Sequence, residues 1–74
     1  MTKNAMMLSD ELRRICSTHN ANYPRVNLSA WVEEGDDGKF IFRWDTDDTL
    51  AHSRESTRLT LRMMMSLVKE VNNE

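Results

Sequence analysis

The sequence predicts a small α+β domain of order α-β-β-α, an antiparallel hairpin covered by two helices. Three observations carry that prediction. Apolar residues recur at a 3-4 spacing near both ends of the chain, and the middle switches to period 2. Both glycines of the protein, Gly35 and Gly38, fall between the two alternating runs.

The first helix is expected over Thr2 to His19. Met6, Leu8, Leu12, Ile15, Cys16 and His19 hold the spacing of a half-buried face. Ser9, followed by Asp10 and Glu11, offers an alternative N-cap, in which case residues 1–6 form a flexible leader. Asn20, Asn22 and Pro24 supply the stop, because a proline biases the residue before it away from helical geometry.

In the run from Val26 to Glu33 the even positions are apolar, and from Lys39 to Asp45 they are aromatic. The loop between the runs fits a three-residue turn of Asp36, Asp37 and Gly38, with the glycine in the left-handed position of a bulge. That register sets Val32 opposite Phe42, Trp31 opposite Arg43 and Ala30 opposite Trp44, and a shift of two residues would keep the same faces. The even face turns to the helices, and the odd face, including Trp31, Glu33, Ile41 and Arg43, turns outward.

The second helix is expected from Asp48 or Ser53 to about Val71, with Leu61, Met64, Met65, Leu67, Val68 and Val71 on its core face. Asp45, Asp47 and Asp48 read as acids at its positive end, and residues 72–74 as a fraying tail.

A chain of 74 residues makes one domain, 1–74, with room for one thin core. Net charge is -2 and mean hydropathy -0.65, so global basicity does not mark a nucleic-acid binder. No apolar run reaches membrane-span length, and Met-Thr-Lys-Asn-Ala lacks the hydrophobic region of a secretory signal. The single cysteine, Cys16, cannot form an internal disulfide, which points to a reducing, cytoplasmic setting.

Catalysis finds little material. Cys16 and His19 are the one Cys/His pair close in sequence, and no oxyanion nest or phosphate loop accompanies them. Half a zinc site at Cys16 and His19 lacks its other half, so neither metal nor cofactor is expected, and the pair reads as a buried thiol beside a surface histidine. The acidic run from Asp45 lacks the glycine and glutamate that a calcium loop of the EF-hand type requires.

Binding surfaces are better represented. Trp31 and Ile41 are large apolar groups on an otherwise polar face, suited to anchoring an interface with Arg43 and Glu33, and Trp31 could instead stack on Arg43. Asp36 and Asp37 make the hairpin tip acidic, which suits a basic partner or simply a soluble turn. Leu59 and Met63 lie off the core face of the second helix and raise a homodimer above a monomer. Arg54, Arg58 and Arg62 recur every four residues, a ridge that could grip phosphates or merely solvate its helix. The leading expectation is a non-enzymatic accessory protein that binds and modulates another protein. The alternative is a small nucleic-acid-binding regulator that uses the arginine ridge.

Overall fold

The computed structural model describes residues 3–24, 26–47 and 54–73, with the backbone alone for Lys3, Asn4 and Arg54. The order is α-β-β-α: α1 spans Lys3–Asn22, β1 Leu28–Glu34, β2 Phe40–Thr46 and α2 Arg54–Asn72. Helix α1 starts at Lys3, with Ala5 fully buried, so Ser9 is an interior residue and not a cap. It also runs one turn past His19. Pro24 ends it within a tight connection, where Tyr23 N–H bonds the His19 carbonyl and Val26 N–H bonds that of Tyr23. Of the two expected starts for α2, the observed Arg54 lies next to Ser53, and Asp48 to Ser53 lie outside the described residues.

The hairpin adopts the register read from its alternation, with Ala30 opposite Trp44, Trp31 opposite Arg43 and Val32 opposite Phe42. Its turn closes with Gly35 N–H on the Lys39 carbonyl (2.7 Å) and Gly38 N–H on the Gly35 carbonyl (3.0 Å). Gly38 has φ +80°, a conformation that costs other residues roughly 1–2 kcal/mol. At the open end Asp47 does not serve α2. Its Oδ1 accepts the Asn27 N–H at 2.8 Å, and its own N–H goes to the Asn27 carbonyl.

The core is a narrow strip of Ala5, Leu8, Leu12 and Cys16 from α1, Leu28, Ala30 and Val32 from β1, and Leu61, Met64 and Val68 from α2. Strand β2 contributes no buried residue; Phe40 and Phe42 are half-buried and Trp44 is 48% exposed. The two helices therefore do not cover the even face equally. Helix α1 runs antiparallel along β1 from Ser9 to Asn20, whereas α2 meets β2 mainly near the hairpin tip. Met65, expected in the core, is 52% exposed for the same reason, since its flank of α2 faces the uncovered part of β2. Met6 is also exposed, and Ala5 takes the inward position. The result is a rod of 37 × 17 × 17 Å, with a radius of gyration of 12.7 Å against about 11 Å for a typical domain of this length.

Side chains from the helices bond parts of both strand edges. Asn20 Nδ2 donates to the Leu28 carbonyl, and Leu28 N–H donates back to Asn20 Oδ1, both at 3.0 Å. Ser9 Oγ accepts the Val32 N–H on the same edge at 3.2 Å. On the other edge Asn72, the last residue of α2, makes the same two-way bridge to Phe40, at 2.8 and 3.0 Å. A carboxamide offers one donor and one acceptor, spaced to pair with a residue's N–H and C=O as a neighbouring strand would.

Candidate functional site

The outer face of the hairpin is the site the sequence favoured, and the structure assembles its four central residues. Trp31 and Arg43 share one rung, and Glu33 and Ile41 share the next. The odd positions of both strands face away from α1 and α2, because the even positions hold the core. Trp31 is 37% and Ile41 41% exposed, and they sit diagonally across the two rungs. The other diagonal is closed by an ion pair, Arg43 Nε to Glu33 Oε2 at 3.3 Å. The Arg43 guanidinium is thus turned to Glu33, and among the described residues no cation–π contact joins it to Trp31. With both partners of the pair half exposed, it adds little stability and mainly orients the arginine.

Gly35 connects this patch to the tip. A Cβ there would lie 3.0 Å from Asp37 Oδ1 and 3.3 Å from the Lys39 carbonyl oxygen, so the missing side chain makes room for the polar groups of the turn, with Ile41 Cδ1 next to them. Asp36 and Asp37 lie beyond it, both exposed, and Asp37 Oδ1 accepts the Lys39 N–H at 3.0 Å. Asp37 therefore already serves the turn, and Asp36 is the freer of the two carboxylates. Trp31 also lines a cleft of about 320 Å³ between α1 and β1, together with Arg13, Ser17 and Asn20. Arg13 is tied to Asp10 at 2.9 Å.

The remaining candidates lie apart from this face. Leu59 (56% exposed) and Met63 (54%) line a groove of about 480 Å³ between the helices, with Ile15, His19, Tyr23 and Ser56. Arg58 and Arg62 are exposed on α2 around a shallow cleft shared with Glu55 and Leu59, and neither forms an ion pair among the described residues. Arg54 opens α2, and its side chain lies outside the described residues.

Cys16 and His19 do not form a dyad. The Cys16 thiol points at Met64 Sδ (3.8 Å), and burial raises its pKa, which suppresses the thiolate. His19 is buried and not on the surface, because α2 packs over it. The two-way bridge to Leu28 fixes the orientation of the Asn20 amide, so Oδ1 is also the atom facing His19 Nδ1 at 3.2 Å. Nδ1 must then donate, and Nε2 lies 3.3 Å from the Thr57 hydroxyl. Nearby, Ser56 Oγ donates to Tyr23 Oη at 2.7 Å, and the Tyr23 ring lies 5.3 Å from that of His19. This network fastens the C-terminal end of α1 to the first turns of α2, a structural use for residues that could have suggested chemistry. Among the described residues no group of three or more His, Cys, Asp or Glu side chains is placed to hold a metal ion, and no helix is long and apolar enough to cross a membrane.

Sequence reasoning missed Ser9, His19 and Thr57 as polar members of the interior. Each occupies a core-facing helical position, and a polar residue there calls for a buried partner. Comparison with protein-family models, curated proteins and solved structures gave no match.

Proposed function

We propose that this chain is a small non-enzymatic accessory protein that binds and modulates another protein through the outer face of its hairpin, in a reducing, cytoplasmic setting. The observation that supports the reading best is the pairing of exposed Trp31 and Ile41 on a sheet face that neither helix covers. Neither side chain is needed by the core, yet each offers apolar area beside an arginine already held in place by Glu33. Tryptophan and arginine are the residue types most enriched where binding energy concentrates. The acidic tip, through Asp36, extends the surface toward a partner with basic groups at its rim.

The test is capture of a partner from cell lysate, with and without nuclease, followed by titration of the purified pair. Trp31→Ala should weaken binding by about 2 kcal/mol or more, roughly thirtyfold, and leave the fold intact. A folded Trp31→Ala protein that binds at full strength would overturn the site. The second reading, a nucleic-acid-binding regulator, draws on the exposure of Arg58 and Arg62 and on their forming no ion pair among the described residues. It requires nuclease-sensitive capture and a log-log salt slope of roughly -2 to -3 for three phosphates, flattened when Arg54, Arg58 and Arg62 become alanine.

A further inference from the structure

Strand β1 turns the N–H and C=O of its even residues outward, toward the flank of α1. The Asn20 bridge to Leu28 and the Ser9 bond to the Val32 N–H both use them. Ala30 lies between those two residues, and the alternation of the ladder aims its N–H and C=O the same way. Among the described residues nothing hydrogen-bonds either group. The cleft of about 320 Å³ opens at this rung, where Arg13, Ser17, Asn20, Ala30 and Trp31 line it. The Ser17 hydroxyl has no partner among the described residues. The ion pair with Asp10 engages Nη1 of Arg13 and leaves the other N–H groups of the guanidinium.

We propose that this cleft receives the carboxamide of an asparagine or glutamine side chain from the protein partner, a step that rests on a partner docked at the outer face. Ala30 presents a donor beside an acceptor, so its ligand must carry an acceptor beside a donor on one planar group. A carboxylate sets a second acceptor against the Ala30 C=O, and a guanidinium sets a second donor against its N–H. A carboxamide matches both, as Asn20 does at Leu28 and Asn72 at Phe40. The Asn20 oxygen takes a further donor, His19 Nδ1. At Ala30 the Arg13 guanidinium offers that further donor, and Ser17 Oγ offers an acceptor for the second amide N–H. A whole added strand is not admitted, because Asn20 already holds both groups of Leu28 and Ser9 holds the Val32 N–H. Trp31 ties the cleft to the partner. It is 37% exposed on the outer face and also lines the cleft, so a partner seated there has the mouth of the cleft beside it.

Propionamide, propionate and cytidine, each titrated into the isotope-labelled full chain and followed at the Ala30 amide resonance, test the chemistry without the partner. Propionamide should move that resonance saturably, with a Kd in roughly the millimolar range for so small a ligand. Propionate, of the same shape, should not. Ser17→Gln places a carboxamide of the chain's own at the exposed mouth of the cleft. It should abolish the propionamide shift and weaken the purified partner about tenfold, the equivalent of one or two lost hydrogen bonds. An Ala30 amide that ignores propionamide, or answers propionate equally, overturns the proposal. Tighter binding of cytidine also overturns it, since a base edge carries the same acceptor and donor and the occupant would then be a nucleic acid. Partner binding that survives Ser17→Gln but is lost with Trp31→Ala overturns this proposal and spares the outer face, whereas binding indifferent to both changes overturns the two together.

Discussion

The two edges of the hairpin show how differently one fold can treat equivalent backbone. On β1, helix α1 lies close enough for Asn20 to bridge Leu28 and for Ser9 to take the Val32 N–H, while Leu28, Ala30 and Val32 fill the core. On β2, helix α2 delivers one bridge, from Asn72 to Phe40, and among the described residues nothing hydrogen-bonds the outward N–H and C=O of Phe42 and Trp44. The strands are seven residues each and perfectly in register, so the difference does not originate in the hairpin. It originates in where the helices run. A sheet edge becomes a stability element when a helix carries polar side chains along it, and stays open when the helix diverges.

The largest contrast between the two sides should appear in side-chain deletion. Leu12→Ala removes a fully buried contact on the α1–β1 side and should cost about 2–5 kcal/mol in chemical denaturation. Trp44→Ala, although it deletes a larger side chain, should cost no more than about 2 kcal/mol, because nearly half of the residue already faces water. Equal losses would mean that β2 is packed as tightly as β1.

The asparagine bridges sharpen the comparison at smaller scale. Asn20→Ala leaves the N–H and C=O of buried Leu28 unpaired and deprives His19 Nδ1 of its acceptor, so a loss of about 2–3 kcal/mol is expected. Asn72→Ala strips the same two bonds from Phe40, but water reaches that half-buried residue, and about 0.5–1.5 kcal/mol should suffice. Thermal or urea unfolding of the pair of variants measures the difference directly. If Asn72→Ala were the more damaging change, the edges would have been ranked in the wrong order.

These particulars show what a sequence of this kind discloses. The two faces of the hairpin were legible because period-2 alternation is a local signal; the register rested on the Asp36-Asp37-Gly38 turn alone, since a shift of two residues keeps the same faces. The outward placement of Trp31, Ile41, Leu59 and Met63 was legible for the same reason, since strand and helix periods assign faces. Met65 and Trp44 were not, because periodicity says which way a side chain points and not whether an element lies there to cover it. The asparagine bridges were invisible too. Asn20 reads locally as a helix stop and Asn72 as a fraying tail, and their partners lie 8 and 32 residues away. Whether a stop signal also seals a strand depends on the direction of the helix axis, which no short-range pattern encodes.

The measurement that bears most directly on the unequal edges is amide hydrogen exchange of the five residues that define them. At a concentration low enough to keep the chain monomeric, the Leu28, Val32 and Phe40 amides should exchange slowly, each held by an Asn or Ser side chain. Those of Phe42 and Trp44 should exchange fast, close to the rate of the exposed turn at Asp36. Phe42 and Trp44 amides as protected as Val32 at the lowest concentration would contradict the account, because the β2 edge would then be closed within a single chain.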